Sequence, residues 1–255
     1  MRSGAVAGFL LTVDLGPGVT AGYTGRVGGV STGAYEGLDL GLHVGDDPGA
    51  VAENRRRLAA TVGAPVTFGR QVHGVRAELV TSGPAAPFDR DLRQDDGGCD
   101  ALVTAGPGRA LGVLVADCVP VLLADATAGV VATAHAGRPG LLAGVLAGVV
   151  AAMTAAGARP ERVRAALGPS AGACCYEVPA AMQDAACAVL PQARATTTWG
   201  APSLDLRAGC RAALAAAGVT DVVLVGGCTI EDERLYSYRR ARVTGRFAGA
   251  VMMTG

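Results

Sequence analysis

The sequence predicts an α+β fold with mixed β-sheets. Strand-like apolar runs follow one another closely between residues 101 and 137, whereas helical patterns occur between other strands. Half of the 255 residues are hydrophobic and 17% are charged, which is typical of a globular protein with a substantial core. Because the sequence contains no recognisable repeat or linker, we interpret residues 1–255 as a single domain.

The first third of the chain is predicted to combine short strands, loops and one helix. The stretch MRSGAVAGFLLTVDLG lacks the long apolar core of a signal peptide and is interpreted as a strand. The glycine-rich segment that follows predicts short strands joined by loops. Asp46 and Asp47 are candidate caps for a helix over Pro48–Val62, which ends at Gly63 and leaves Arg55–Arg57 in solvent.

Strands dominate the middle of the chain and alternate with helices towards its end. The predicted strands cover residues 66–72, 75–80, 101–105, 111–118, 119–125, 129–137, 163–167, 222–227 and 247–253. The predicted helices cover residues 140–157, 178–190 and 206–217. The helix over 140–157 approaches the ~20 residues of a membrane span, but its alanine and glycine content favours a buried helix. Residues 81–98 are predicted to form a polar surface loop.

Charge and cysteine content exclude several classes of function. The 22 basic and 22 acidic residues balance, so neither a nucleic-acid footprint nor a polybasic membrane patch is expected. Every basic residue is arginine, which excludes Schiff-base lysine chemistry and a P-loop lysine. Seven cysteines are an odd number and widely scattered, which indicates a reducing cytoplasm and not a secreted disulfide framework.

His73, Cys118 and His135 form a candidate metal-ligand set. Both histidines are predicted to lie at strand ends near glycine, in QVHG and AHAG. Cys118 interrupts the apolar run GVLVADCVPVLLAD at the junction of two strands, where Pro120 is expected to prevent ordinary strand pairing. Zinc accepts thiolate sulfur and imidazole nitrogen in a tetrahedron, and three protein ligands leave a fourth position open for catalysis.

Spacing alone leaves alternatives to this metal site open. Intervals of 45 and 17 residues between the three side chains are not a zinc signature. A buried cysteine with two hydrogen-bonded histidines and no metal is one alternative. A Cys–His hydrolase, with Cys118 as nucleophile and either histidine as base, is the other. In that hydrolase Asp117 could orient the histidine, although adjacent strand residues point to opposite faces, which argues against it. The alternative for Asp117 is a carboxylate that accepts from loop backbone N–H groups.

Two further groups of side chains are notable. Cys174 and Cys175 are expected to be small structural residues in a tight turn, because successive side chains diverge. The remaining cysteines are interpreted as isolated core or turn thiols: Cys99, Cys187, Cys210 and Cys228. The segment SYRRARVTGR offers guanidinium donors for phosphate or carboxylate from Arg239, Arg240 and Arg246, with a solvated charge cluster as the alternative.

The ordered set of motifs resembles the YfiH-like family. Its members carry the names multicopper polyphenol oxidase or laccase-domain protein, purine nucleoside phosphorylase and peptidoglycan editing factor. The matching segments are GRVGGVSTGAYEGLDLG, VGDDP with ENRRRL, QVHG, DALVT, ADCVPVLLAD, AHAG, GPSAGACCYEV and SYRRARVTGR. Together they span nearly the whole chain.

The resemblance implies a fold and a metal centre. The implied fold is a layered α/β/β/α sandwich, shared with a toxin whose site is a Cys–His deamidase. The implied metal ligands and catalytic residues are His73, Cys118 and His135, with zinc as the expected metal. Copper is less expected, because three histidines are too few for a multicopper cluster. The candidate substrate- or anion-binding residues are Arg26, Asp39, Arg239, Arg240 and Arg246.

The implied activity is zinc-dependent chemistry on purine nucleosides, namely phosphorolysis of adenosine, inosine or methylthioadenosine and deamination of adenosine. One alternative is an amidase that removes misincorporated L-serine from peptidoglycan precursors, and another is a zinc-stabilised binding protein without turnover. The expected partners are small molecules, either a purine nucleoside with phosphate or a nucleotide-sugar wall precursor. Nucleic acid and membranes are not expected as partners, and the expected location is the cytoplasm.

Two departures from the family pattern bear on substrate preference. Where the family usually continues HAG with Trp-Arg-Gly, this chain has Arg138-Pro139-Gly140. An indole that would stack on a base is therefore missing, and the arginine is displaced by one position. Asp39 stands where the family usually has asparagine. Neither departure touches the three implied metal ligands.

Overall fold

The computed structural model describes residues 9–81, 91 and 97–254. The β-strands of this part are β1 (Phe9–Thr12), β2 (Val19–Thr24), β3 (Val66–Phe68), β4 (Ala77–Leu79), β5 (Ala101–Ala105), β6 (Ala110–Val115), β7 (Val119–Asp125), β8 (Val130–Ala136), β9 (Arg164–Leu167), β10 (Arg194–Thr196), β11 (Pro202–Leu204), β12 (Asp221–Leu224) and β13 (Phe247–Met253). The α-helices are α1 (Pro48–Val62), α2 (Arg138–Ala143), α3 (Val145–Ala155), α4 (Ala180–Val189) and α5 (Leu206–Ala216).

Two large mixed sheets form the centre of the fold. The first has the strand order β1-β2-β13-β6-β3, and the second has the order β12-β9-β7-β8-β5-β4. Most neighbours are antiparallel, but β3–β6, β4–β5 and β9–β12 are parallel. Strands β10 and β11 form a separate antiparallel pair.

Three hydrophobic clusters show how the layers stack. One cluster joins both sheets and includes Leu111 and Val113 of β6 with Leu122 of β7. A second packs the far face of the second sheet against α3 and α5. The third packs the far face of the first sheet against α1, through residues such as Leu58 and Leu114. The order is therefore helix, sheet, sheet, helix, which confirms the predicted α+β fold and its layered α/β/β/α arrangement.

The apolar run GVLVADCVPVLLAD crosses from one sheet to the other. Strand β6 belongs to the first sheet and β7 to the second, so the segment Ala116–Cys118 bridges the two layers. Asp117 takes the turn with a φ of 99°. The expectation that Pro120 prevents pairing is wrong. Pro120 lies in β7 in register with His135, and its carbonyl accepts a hydrogen bond from the Gly168 N–H.

The predicted helix over residues 140–157 is two helices. α2 starts earlier, at Arg138, and Gly144 separates it from α3 with a φ of 99°. This left-handed conformation favours glycine and stops α2 at its second turn. Within the described part of the chain, no helix combines the length and apolar character needed to cross a membrane.

Helix α1 has the predicted bounds but a different exposed face. Asp47 caps its N-terminus by accepting from the Gly49 and Ala50 N–H groups, whereas Asp46 bonds outside the helix. Arg55 was expected in solvent and is instead buried. Its guanidinium donates to the Leu40 carbonyl and to the Asp91 carboxylate at 2.7 Å. The burial follows from pairing with residues that are distant in sequence, which helical periodicity does not reveal.

Two predicted strands are shorter than expected. Strand β3 ends at Phe68 and β4 begins at Ala77, so residues 69–76 form a loop that contains His73. Most of the predicted polar loop over 81–98 and the N-terminal stretch over 1–8 lie outside the described residues. All seven cysteines are free thiols.

Candidate metal centre

Three different parts of the fold bring the candidate ligands together. His73 lies in the loop between β3 and β4, Cys118 lies in the crossing between the sheets, and His135 lies on β8. The register of β7 on β8 sets Pro120 opposite His135, so the strand pairing itself places Cys118 near that histidine. Among the described residues, His73 and Asp117 are the two non-glycine residues with positive φ, at 60° and 99°. Backbone strain of this kind concentrates at functional sites.

The distances within this triad fit a tetrahedral metal. Cys118 Sγ lies 3.6 Å from His73 Nε2, and one donor atom from each residue falls within 4.8 Å of the others. Zinc bonds of about 2.3 Å to sulfur and about 2.0 Å to nitrogen place two tetrahedral ligand atoms about 3.5 Å apart. The pair is therefore already at the spacing that a shared zinc ion requires.

Asp100 organises the triad from behind. Its carboxylate accepts from His135 Nδ1 at 2.8 Å and from the backbone N–H groups of Val72, His73 and Gly74 at 3.1, 2.9 and 2.8 Å. The bond to Nδ1 leaves His135 Nε2 free to face Cys118. The three backbone bonds hold the loop that presents His73. One buried carboxylate thus fixes both histidines.

Charge within the triad favours a thiolate. Burial raises the pKa of Cys118, but the nearby His135 and His73 outweigh that effect and lower it to about 6. Burial lowers the pKa of His135, but the Cys118 charge and the Asp100 bond raise it to about 9. Without metal, the two groups therefore form a thiolate–imidazolium pair near neutral pH. A metal would replace the shared proton.

Gly137 leaves room for the triad. A Cβ atom at this position would lie 2.6 Å from His73 Cδ2 and 3.0 Å from Cys118 Sγ. Its φ of −73° is open to any residue, so the requirement is steric. At QVHG it is His73 itself, and not the neighbouring Gly74, that takes the left-handed conformation.

Asp117 connects the crossing segment to the arginine-rich loop. Its carboxylate accepts from Thr229 Oγ1 at 2.6 Å and from the Arg239 backbone N–H at 2.7 Å. The Asp117 carboxylate, next to Cys118 in sequence, therefore holds the arginine-rich loop over the site. Its partners are one backbone N–H, as predicted, and one hydroxyl, which was not.

A cavity of about 530 Å³ opens over the triad. Its walls include the rings of Tyr176 and Tyr238 and the side chains of Arg239, Arg242 and Arg246. The Arg239 guanidinium lies 4.7 Å from the centre of the Tyr176 ring, and that of Arg242 lies 5.3 Å from Tyr238. The cavity thus combines metal-ligating, aromatic and cationic side chains, and its volume suits a small molecule.

The candidate substrate residues divide between this cavity and other places. Arg239 and Arg246 line it. Asp39 is buried behind it, where Oδ1 accepts from the backbone N–H groups of Gly41 and Arg246. Arg26 and Arg240 line a different groove. Arg240 donates to the backbone carbonyls of Thr229 and Leu235, and these bonds direct its side chain away from the cavity. It is therefore not at the site, although its neighbour in sequence, Arg239, is.

Sequence reasoning missed several residues of the site. Asp100 stands in the quoted segment DALVT, and its position after a polar loop and before a buried strand was the available signal. Gln71 of QVHG exchanges two hydrogen bonds with the Leu114 backbone and thereby docks the His73 loop on β6. His43 also lines the cavity, so all three histidines of the chain meet there. Long-range contacts of this kind leave no local pattern.

Comparison with known proteins identifies the family of this chain. The family described as multi-copper polyphenol oxidoreductase laccase matches residues 20–254. The chain is 48% identical over 233 residues to a Mycobacterium tuberculosis protein named purine nucleoside phosphorylase, and the match covers 90% of each chain. A Streptomyces coelicolor protein of the same name is 49% identical over 240 residues, which cover 92% of this chain and 96% of the relative.

Solved structures are similar over nearly the whole fold. YlmD from Geobacillus stearothermophilus superposes with a TM-score of 0.85 at 34% identity, and the match covers 94% of this chain and 93% of YlmD. YfiH from Bacillus licheniformis gives a TM-score of 0.82 at 31% identity, with 92% and 93% covered. The chain therefore belongs to the multi-copper polyphenol oxidoreductase laccase family, the YfiH-like family that its ordered motifs resemble.

Proposed function

We propose that this chain is a zinc-dependent enzyme that cleaves purine nucleosides with phosphate. The observation that carries the proposal is the single cavity in which the His73–Cys118–His135 triad faces two tyrosine rings and three arginines. The relatives named purine nucleoside phosphorylase, at 48–49% identity over at least 90% of this chain, support the same reaction class.

The donor set favours zinc over a copper cluster. One thiolate and two imidazoles suit zinc, and the 3.6 Å separation of Cys118 Sγ and His73 Nε2 matches its tetrahedral geometry. Three histidines in the whole chain are too few for several copper ions. Bound zinc would supply a Lewis acid at the floor of the cavity, with one coordination position open to substrate or water.

The arginines supply the anion site that phosphorolysis needs. Arg239 donates one N–H to the Glu177 carbonyl at 2.9 Å, and Arg246 donates to the carbonyls of Thr244 and Gly245. These bonds fix the two guanidinium groups and leave further donors for phosphate. Arg242 adds a third positive charge to the same wall. A phosphate held there would lie beside the sugar of a bound nucleoside.

The tyrosines supply the aromatic surface that the missing family tryptophan would otherwise offer. Tyr238 is exposed at the cavity, and Tyr176 lies beneath the Arg239 guanidinium. A purine ring can stack on the parts of these two rings that Arg239 and Arg242 leave uncovered. Arg138, displaced from its usual family position, begins helix α2. We therefore assign base recognition to the tyrosine pair.

Deamination of adenosine is the second reaction that this site supports. A metal held by His73, Cys118 and His135 would supply a Lewis acid that activates water, and the same stacking surface would orient the adenine ring. Both reactions need the triad, but only phosphorolysis needs phosphate. The two are separable by their products.

Product-resolved mass spectrometry of the purified protein with adenosine tests the proposal. With phosphate present, we expect adenine and ribose 1-phosphate, and a chelator should abolish both. Inosine formed without phosphate would establish deamination as well. A zinc-loaded sample that converts neither adenosine, inosine nor methylthioadenosine would contradict the proposal, and a serine-containing wall precursor would then be the next substrate to assay.

A further inference from the structure

A second group of metal-binding side chains lies outside the triad. Cys174 and Cys175 follow β9 in the segment GPSAGACCYEV, and Cys228 and Glu231 follow β12. One donor atom from each of the four residues lies within 4.8 Å of the others. The expectation that Cys174 and Cys175 diverge and that Cys228 is isolated is therefore wrong.

Specific contacts hold the four side chains together. Cys174 Sγ lies 2.8 Å from Cys175 Sγ and 3.3 Å from Glu231 Oε2. Cys228 Sγ accepts from the Gly172 N–H at 3.2 Å. All three thiols are half-buried and Glu231 is exposed, so the cluster is open to an ion from solvent.

The backbone around this cluster brings the segment of Cys174 and Cys175 close to the segment of Cys228. Ser170 and Cys228 form a parallel β-bridge, and the Thr229 N–H donates to the Ser170 carbonyl at 2.9 Å. A Cβ atom on Gly172 would lie 3.1 Å from both Cys174 Sγ and Cys228 Cβ. A larger residue would press on both cysteines, so the turn at Gly172 and the bridge together bring the thiols close to one another.

The donor set is that of a closed thiolate site. Three sulfurs and one carboxylate oxygen make four ligands, which is the full coordination of a structural zinc ion. Tetrahedral sulfurs on one zinc lie about 3.8 Å apart, so the Cys174–Cys175 pair would open by about 1 Å. A disulfide between these two neighbours is disfavoured, because their Cα atoms lie about 3.8 Å apart, below the range of ordinary disulfides.

Nearby charges accommodate a thiolate cluster. Arg207 and Arg211 line a cavity of about 370 Å³ beside Cys174, Cys228 and Glu231. A divalent cation bound there would displace the thiol protons, and the two arginines would offset the remaining negative charge.

We propose that Cys174, Cys175, Cys228 and Glu231 form a second, structural site for a thiophilic divalent cation such as Zn²⁺. The ion would join the segment that carries Tyr176 to the segment that carries Thr229. Tyr176 lines the cavity over the triad, and Thr229 holds Asp117 beside Cys118. This site does not depend on the proposed reaction, since it is defined by its own ligands.

Cobalt titration of a variant that lacks the first site tests this proposal. In metal-free Cys118→Ala, one equivalent of Co²⁺ should bind and give the near-ultraviolet charge-transfer absorption of cobalt thiolates. Cys118→Ala/Cys228→Ser should lose at least about tenfold in Co²⁺ affinity. The matched control Cys118→Ala/Cys187→Ser should keep it, because Cys187 lies on α4 in the apolar core. A folded Cys118→Ala protein without this absorption would overturn the proposal.

Thiol mapping in the wild-type chain provides a test that needs no variant of the first site. We expect Zn²⁺ to slow alkylation of Cys174, Cys175 and Cys228 by at least about tenfold, because metal-bound thiolates are shielded. Glu231→Gln should weaken that protection. Equal alkylation rates with and without Zn²⁺, read peptide by peptide, would overturn the proposal, as would a 2 Da loss on the Cys174–Cys175 peptide with no zinc taken up.

Discussion

At the scale of single residues, Asp100 does most to define the candidate metal centre. It touches both histidines of the triad, one through the Nδ1 of His135 and the other through the backbone of the His73 loop. The family resemblance implied the three ligands but not the carboxylate behind them. Ligand identity is visible in a motif, whereas the contact that orients a ligand arises only when distant segments pack.

Asp100→Asn should weaken metal binding without removing a ligand. An amide can still accept through one oxygen, but its NH₂ group would face N–H donors of Val72 and Gly74. We expect zinc affinity to fall about 10- to 100-fold. Competition with a chromophoric chelator measures this change. An affinity equal to that of the wild type would show that Asp100 is not needed to orient the histidines.

Asp39 should make stability depend on pH. Burial raises its pKa to about 6, so the folded state favours the protonated carboxyl. Because the folded protein binds this proton more tightly than the unfolded chain does, the proton stabilises the fold at low pH. This stabilisation is lost as the pH rises through about 6. Asp39→Asn removes the charged form and should raise the free energy of unfolding at pH 8 by up to about 3 kcal/mol, with little effect at pH 4.

Urea unfolding of both proteins at pH 4 and pH 8 measures the Asp39 effect. The asparagine keeps an oxygen that can accept from the Gly41 and Arg246 N–H groups, so the loop geometry should persist. A destabilised variant at pH 8 would contradict the account. It would mean that the ionised carboxylate stabilises the folded protein.

At the scale of elements, the metal centre depends on how strands and turns meet. β7 pairs with β8 in a register that sets Cys118 beside His135, and β6 ends just before the crossing between the sheets. The apolar run could be recognised as two strands from its residues alone. Their placement in different sheets could not, because an apolar run carries no information on which layer its second half joins.

Substitution of glycine should disturb the site at one element boundary and leave it unchanged at another. Gly137→Ala should displace His73 and Cys118, because its Cβ would lie within 3.0 Å of both side chains. We expect at least about a tenfold loss of zinc affinity. Gly144→Ala is the matched control. No atom outside its own helix lies within 4 Å of the added Cβ, but its φ of 99° costs about 1 kcal/mol of stability.

Calorimetry and metal titration on the two glycine variants separate these effects. The Gly144→Ala protein should have a lower melting temperature than the wild type and the same zinc affinity. The Gly137→Ala protein should bind zinc weakly even where it remains folded. Equal zinc affinity in the two variants would mean that the space at Gly137 is not required by the triad.

At the scale of the whole molecule, the layered fold brings segments that are far apart in sequence together around one cavity. The fold class, the order of most elements and the grouping of the three candidate ligands were predictable, because each has a local pattern or a motif. The roles of Arg55, Arg240 and the Cys174–Cys228 cluster were not, because each is decided by contacts between segments far apart in sequence. Charged and thiol side chains look alike in sequence whether they face solvent, backbone or a metal.

The central claim is that the triad holds a metal that the purine nucleoside reaction requires. The most direct measurement is the release of adenine from adenosine and phosphate as Zn²⁺ is added back to metal-free protein, in the wild type and in Cys118→Ala. We predict that wild-type activity rises with zinc bound at the triad and that the variant, although folded, stays inactive at every zinc concentration. Full activity of the metal-free wild type, or zinc-restored activity of Cys118→Ala, would contradict the account.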